Sequence, residues 1–266
     1  MNKIECIVMD WAGSAVDYGC FAPVAAFIGS MAEIGITITS DDARKPMGLN
    51  KIDHIKALFD MPHIAAQFEK KYGHPVTETD VLERYEAFKK ILFSSLAEYT
   101  DPIPGVVEVM HDLQTRGIKI GSTTGYTDEM MRIVAPAAAQ KGYCPDLWVT
   151  ADNLPAGRPY PYMIYTNMCR LAVPSVRNVI KYGDTVADMR EGVAAGVWTV
   201  GVVTGSNELA LTPEEVAAMP ADELYRRKLA VRMRLLAAGA HYVVDNITEL
   251  PALIEAIDQK LALLES

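Results

Sequence analysis

Residues 4–14 read Ile4-Glu5-Cys6-Ile7-Val8-Met9-Asp10-Trp11-Ala12-Gly13-Ser14, and this stretch constrains the chain more than any other. Five of the first six of these residues are apolar and the run stops abruptly at an acid. That pattern predicts a strand buried on both faces, as in a parallel sheet. In open α/β sheets, ligands bind outside the carboxyl ends of the strands, which is where Asp10 falls. Gly13 allows a sharp turn directly afterwards. A carboxylate presented this way serves as a metal ligand, as a nucleophile, or as both; the plain alternative is a turn cap that follows a strand.

The rest of the chain falls into two patterns. From Cys20 to about Tyr99 nearly everything reads as helix. One helix is expected over 21–34, ended by Gly35. The capping-box form of Thr39-Ser40-Asp41-Asp42 predicts a short helix interrupted by Pro46 and Gly48. Asn50 is expected to cap a helix whose buried stripe is Ile52, Ile55, Leu58 and Phe59, with Pro62 beyond its end. Thr77 or Thr79 starts a long helix through Leu96. After Pro102 strands and helices alternate. Strands are expected over 118–124, 147–150, 179–182, 198–203 and 242–244, and helices over 106–116, 128–140, 162–171 and 188–195, with a last helix after the final strand.

Strand–helix alternation of this kind makes a doubly wound parallel sheet. The expected architecture is therefore an α/β, Rossmann-like core of residues 1–19 and 100–266 with an inserted all-helical cap domain, 20–99. The 266 residues are ample for both. A formal charge of −9 argues against a nucleic-acid or anionic-membrane surface. No uncharged apolar stretch reaches about 18 residues and no signal-peptide pattern precedes Asp10, so a cytoplasmic protein is expected. Cys6, Cys20, Cys144 and Cys169 lack metal-ligand spacing and read as reduced thiols.

Three further clusters fall at strand ends. Ser122-Thr123-Thr124-Gly125 offers hydroxyls and an amide to phosphate oxygens. Gly183-Asp184-Thr185-Val186-Ala187-Asp188 places two acids four apart. Asp184 can share a metal with Asp10, and Asp188 can orient Asp184 or a metal-bound water. Gly157-Arg158-Pro159-Tyr160-Pro161 holds a guanidinium suited to a phosphoryl group.

A strand ending in Asp, another ending in Ser/Thr, a basic residue before Pro-x-Pro, and Gly-Asp-x-x-x-Asp followed by Ala-Gly resemble the four motifs of the haloacid dehalogenase superfamily. The resemblance implies Asp10 as nucleophile and metal ligand, Thr124 as phosphate hydroxyl, Arg158 as motif-three cation and Asp184 as second metal carboxylate. Two departures matter. Phosphatases of the superfamily carry a general acid two residues after the nucleophile, where this chain has Ala12; the motif-three cation is usually Lys.

Without that acid an alkoxide leaving group would go unprotonated, whereas a carbon leaving group needs an electron sink instead. In Arg44-Lys45-Pro46-Met47-Gly48-Leu49-Asn50-Lys51, the capping Asn50 puts Lys51 in a first helical turn. The helix dipole there disfavours an ammonium, and a neutral amine is what Schiff-base chemistry needs. The plain alternative is an exposed helix lysine. His54, three residues on, sits on the same helix face and can shuttle protons.

Asp-Trp-Ala-Gly, Lys-Pro-Met-Gly with Lys four residues beyond that Met, Ser-Thr-Thr-Gly-Tyr and Ala-Gly-Arg-Pro-Tyr-Pro together resemble the phosphonatase branch of the superfamily. One local departure is Ser14, where many relatives have Thr. The resemblance implies Mg²⁺-dependent hydrolysis of the phosphorus–carbon bond of phosphonoacetaldehyde, through a Lys51 Schiff base and an Asp10 aspartyl phosphate. It implies Mg²⁺ on Asp10, Asp184 and the Ala12 carbonyl, with Thr124, Gly125, Arg158 and Met47 at the substrate. The water-activating group stays open among Cys20, Tyr126 and His54. A homodimer is also implied, for which the apolar face of the 21–34 helix offers an interface. The other readings of the same residues are a phosphomonoesterase and a non-catalytic protein that binds a phosphorylated metabolite.

Overall fold

The computed structural model describes residues 3–264. Six strands, all paired in parallel, form one sheet: β1 (Cys6–Met9), β2 (Lys119–Thr123), β3 (Leu147–Val149), β4 (Val179–Gly183), β5 (Trp198–Val202) and β6 (Tyr242–Val244). Their order is β3-β2-β1-β4-β5-β6, so the chain winds outward in one direction from β1 and in the other from β4. The crevice at that reversal lies between the carboxyl ends of β1 and β4. All four residues of β1 are buried, as its apolar run requires at the centre of a sheet covered on both faces.

Five helices stand between β1 and the next core helix: α1 (Phe21–Glu33), α2 (Ser40–Arg44), α3 (Lys51–Phe59), α4 (Pro62–Tyr72) and α5 (Glu78–Ser95). The beginnings of α2, α3 and α5 are set by side chains that satisfy unpaired first-turn amides, whereas α4 starts at Pro62. Thr39 and Thr77 each form a full capping box, with Asp42 and Asp80, and Asn50 accepts from the Asp53 amide at 2.9 Å. In α3, Ile55, Leu58 and Phe59 are buried as expected, while Ile52 is only half-buried. Phe27 of α1 stacks on Phe88 of α5, centroids 4.2 Å apart, an arrangement worth ~0.5–1.5 kcal/mol beyond area burial. Val24, Phe27 and Met31 of α1 are buried within the chain, so only Ala25, Ala32 and Glu33 of that helix are exposed. An interface there would have to use its outer side.

The core continues through α6 (Val106–Thr115), α7 (Asp128–Gln140), α8 (Tyr162–Arg170), α9 (Val186–Ala195), α10 (Pro213–Ala218), α11 (Ala221–Ala237) and α12 (Leu250–Leu264). The pair α10 and α11, between β5 and β6, is not read from the sequence. The four cysteines are free. Among the described residues no helix is long and apolar enough to cross a membrane.

Candidate active site

Asp10 continues the ladder by one residue, its amide donating to the Tyr182 carbonyl at 2.9 Å, and its side chain then leaves the sheet at the crevice. Gly13 follows with φ +85°, and a Cβ there would lie 2.3 Å from Asp184 Oδ2. The turn therefore needs glycine twice over, for its backbone and for the carboxylate packed against it. Asp184 is fixed by two donors, Ser14 Oγ on Oδ1 and the Asn207 amide on Oδ2, each at 2.7 Å. Asp188 caps α9 through Thr185, and its other oxygen stands 3.1 Å from Arg158 Nη1 and 2.9 Å from Lys181 Nζ.

Ligand oxygens of Asp10, Asp184 and Asp188 lie within 4.8 Å of one another, all buried. Burial pushes the Asp10 and Asp184 carboxyls above the usual range. For Asp184 the nearby Asp10 and Asp188 charges push further, whereas Arg158 opposes the rise at Asp10. Asp188 is held down at about 2, because Arg158 and Lys181 outweigh its burial. A crowded set of hard carboxylate oxygens short of positive charge fits a divalent cation such as Mg²⁺. Asp188 is the member already compensated by charge, with Arg158 and Lys181 both on one oxygen, whereas Asp184 meets only neutral donors and Asp10 a single guanidinium.

The expected Ser/Thr cradle divides three ways. Ser122 Oγ accepts from Trp11 Nε1 at 2.9 Å, and Thr123 Oγ1 faces Arg158 and Lys181. Thr124 and Gly125 remain at the cleft, with Thr124 Oγ1 accepting from the Tyr126 amide at 3.0 Å. Gly125 is pressed by the loop before α3: a Cβ there would sit 2.5 Å from the Leu49 carbonyl oxygen. From the same loop, a Cβ on Gly48 would lie 2.5 Å from Thr185 Oγ1. The helical insertion thus closes down on the strand ends through backbone.

Lys51 is the first residue of α3 and is 4% exposed. Its Nζ lies 5.0 Å from the Tyr126 ring centroid and 5.8 Å from that of Phe27. Burial lowers its ammonium to about 8, against the partial opposition of Cys20 and Asp10. Lys51, Asp10, Ala12, Cys20, Met47, Thr124, Gly125, Tyr126 and Arg158 all line one cleft of about 20 Å³, room for about one water molecule. His54 is behind it: its ring stacks on Phe27 at 3.7 Å and Nε2 lies 2.9 Å from the Ala43 carbonyl. Burial first, then Lys51, holds His54 well below its ordinary value, so it is neutral. Burial raises the Cys20 thiol and Tyr126 phenol, keeping both protonated and so unavailable as bases.

Lys181, Glu191 and Asn207 are the members that sequence reasoning misses, and Ser14 is singled out there without its contact to Asp184. A lysine inside the apolar run Val179-Ile180-Lys181-Tyr182 is the one available signal, because lysine is almost never fully buried without a partner.

Asp10 and Asp184 thus stand at the two lips of the sheet's switch point, where open α/β sheets bind their ligands, with Thr124, Gly125 and Arg158 beside them. A family model described as haloacid dehalogenase-like hydrolase matches residues 4–196. The chain is 59% identical over 261 residues to a phosphonoacetaldehyde hydrolase of Bacteroides fragilis, covering 98% of this chain and 99% of the relative. It is 53% identical over 258 residues to one from Bacillus cereus, covering 97% and 98%. The crystal structure of a phosphonoacetaldehyde hydrolase-like protein from Oleispira antarctica superposes with a TM-score of 0.95 at 36% identity, covering 98% of this chain and 94% of that one. A β-phosphoglucomutase from Clostridium difficile shares the fold at 18% identity, with a TM-score of 0.68. The chain belongs to the haloacid dehalogenase-like hydrolases and, within them, to the phosphonoacetaldehyde hydrolase family.

Proposed function

We propose that the chain hydrolyses the phosphorus–carbon bond of phosphonoacetaldehyde to acetaldehyde and phosphate. The observation that carries this reading is the pairing, in one closed cleft, of the Asp10 carboxylate with a buried lysine whose ammonium is lowered to about 8. Lys51 condenses with the aldehyde, water leaves, and the protonated imine becomes the sink for the electrons of the breaking bond. Asp10 attacks phosphorus in line, forming an aspartyl phosphate, and the carbon departs as an enamine on Lys51. Protonation of the enamine and addition of water release acetaldehyde from Lys51; water releases phosphate from Asp10.

Thr124, the Gly125 amide and Arg158 would hold the phosphonate oxygens, with Met47 packed beside the carbon. Mg²⁺, which Asp10, Asp184 and the Ala12 carbonyl would hold and Asp188 would support, supplies positive charge against the repulsion between carboxylate and phosphonate. Ala12 leaves space where a general acid would serve an alcohol leaving group. His54, neutral and stacked on Phe27 behind the cleft, is the group assigned to moving protons at the amine.

Residues 20–99 act in this reading as a cap over core residues 1–19 and 100–266. Because the cleft has room for about one water molecule, the cap opens to admit substrate and closes to shield the imine. The reading extends to a homodimer acting in the cytoplasm.

The test is a steady-state assay with phosphonoacetaldehyde, with and without Mg²⁺. Acetaldehyde and phosphate should form in equal amounts and only with the metal. Faster hydrolysis of p-nitrophenyl phosphate than of phosphonoacetaldehyde would contradict the reading and favour a phosphomonoesterase.

A further inference from the structure

Arg158 is held from several directions, and one of them faces the reacting carboxylate. Its Nε donates to Glu191 Oε2 at 3.0 Å, its Nη1 stands 3.1 Å from Asp188 Oδ1, and Nη2 donates to both Asp10 Oδ1 and Thr123 Oγ1 at 2.8 Å. Lys181 Nζ meets the same acceptors except Asp10: Thr123 Oγ1 at 2.6 Å, Asp188 Oδ1 at 2.9 Å and Glu191 Oε2 at 3.0 Å. Thr123 closes the ring by donating to Glu191 Oε2 at 3.1 Å. The side chains of Lys181 and Glu191 are 0% exposed, and neither lines the cleft.

Such a pair is an expensive way to fill space, since apolar residues of similar volume are often at least as stabilising as a buried ion pair. What the pair adds is direction. Arg158 carries a rigid fork of donors. With Glu191 on Nε, the plane of the guanidinium is fixed, and Nη2 is left aimed at Asp10. Glu191 without Lys181 would make a buried excess of negative charge beside Asp188, drawing the guanidinium away from Asp10. With Lys181 present, two cations and two acids balance, and the Nη2 contact with Asp10 is left undisturbed.

We propose that Lys181 and Glu191 are positioning residues for Arg158, acting as a neutral pair that locks the guanidinium toward Asp10 and the transferred phosphoryl group. This rests on the function proposed above. Neither residue touches substrate; their effect is on the phosphoryl half of the reaction and not on imine formation at Lys51.

The experiment compares wild type, Lys181→Met, Glu191→Gln and the double variant by three readouts: turnover of phosphonoacetaldehyde, inhibition by inorganic phosphate, and borohydride trapping of substrate on Lys51. Lys181→Met should lower kcat about 100-fold, the scale of a misplaced catalytic group, and weaken phosphate inhibition about tenfold, with trapping unchanged. The double variant restores neutrality and keeps an acceptor for Nε, so it should recover about tenfold of the lost kcat. A folded Lys181→Met enzyme with kcat within about threefold of wild type, or trapping that falls in proportion to kcat, would overturn the proposal. If Lys181→Met does not fold, the double variant decides. A kcat about tenfold below wild type with intact trapping supports the proposal, and wild-type kcat overturns it. Should wild type prefer p-nitrophenyl phosphate, the functional reading fails by itself, and the same kcat ratios on that substrate decide the role of the pair.

Discussion

Arg158 Nη2 lies 2.8 Å from Asp10 Oδ1, inside a site where both side chains are more than nine-tenths buried. Burial raises the Asp10 carboxyl, and charge-assisted contact of this kind opposes that rise. In the proposed mechanism one fixed guanidinium faces both the nucleophile and the phosphoryl group it receives.

Asp10→Asn keeps the size of the side chain and removes its charge. Turnover should fall to near background while the far-ultraviolet spectrum and Lys51 trapping persist. Retention of more than about a tenth of wild-type turnover, a loss of only ~1.4 kcal/mol in transition-state stabilisation, would rule out covalent catalysis at this residue.

Ala12→Asp adds a fourth carboxylate beside Asp10, Asp184 and Asp188, where burial and then the Asp10 and Asp188 charges already raise Asp184. Phosphonoacetaldehyde turnover should drop at least tenfold without the appearance of useful phosphomonoesterase activity, because the cap still presents Lys51 to the leaving group. Full activity in this variant would show that the small side chain has nothing to do with the chemistry.

Lys51 should make the protein's stability depend on pH. An ordinary lysine titrates at 10.5 and this one at about 8. Between those values the unfolded chain binds a proton that the folded chain does not, so stability rises with pH across that window and the full penalty applies below it. Lys51→Met should therefore stabilise the protein at pH 7, by ~3 kcal/mol at most, and much less at pH 10. Equal shifts in Tm at both pH values would contradict a depressed amine.

Chelation should separate the two halves of the reaction. With EDTA present, turnover should stop and return on adding Mg²⁺, while borohydride trapping on Lys51 continues, because the imine needs the amine and not the cation. Loss of trapping under EDTA would place the metal in imine formation as well.

The parts of this site that are legible in sequence are those whose signal is local. A buried strand that ends in Asp10 announces itself, and Thr39, Asn50 and Thr77 mark helix starts because capping is a matter of the next three residues. Asp184 and Arg158 are found by the turn chemistry around them. By contrast α11 buries Val231 and Leu235 but exposes Tyr225, Leu229 and Met233, so its apolar residues never line up into one face. Lys181 is hidden for a different reason. Its partners Thr123, Asp188 and Glu191 arrive from another strand and a following helix, and only the β2-β1-β4 strand order brings them together. The Ser122–Gly125 segment is legible as a polar strand end, but its assignment of hydroxyls to Trp11, to the buried charges and to the cleft is tertiary information.

In the proposed mechanism the Lys51 amine is what directs the chemistry to a phosphorus–carbon bond, so the most direct test is to catch it. Wild-type protein is treated with borohydride in the presence of phosphonoacetaldehyde, and the labelled peptide is mapped. The account predicts inactivation with a stable two-carbon adduct on Lys51, and no labelling or turnover in Lys51→Arg, whose guanidinium stays protonated while Mg²⁺ binding is retained. An adduct on Lys45 or Lys56 instead, or a Lys51→Arg enzyme that still turns over phosphonoacetaldehyde, would contradict it.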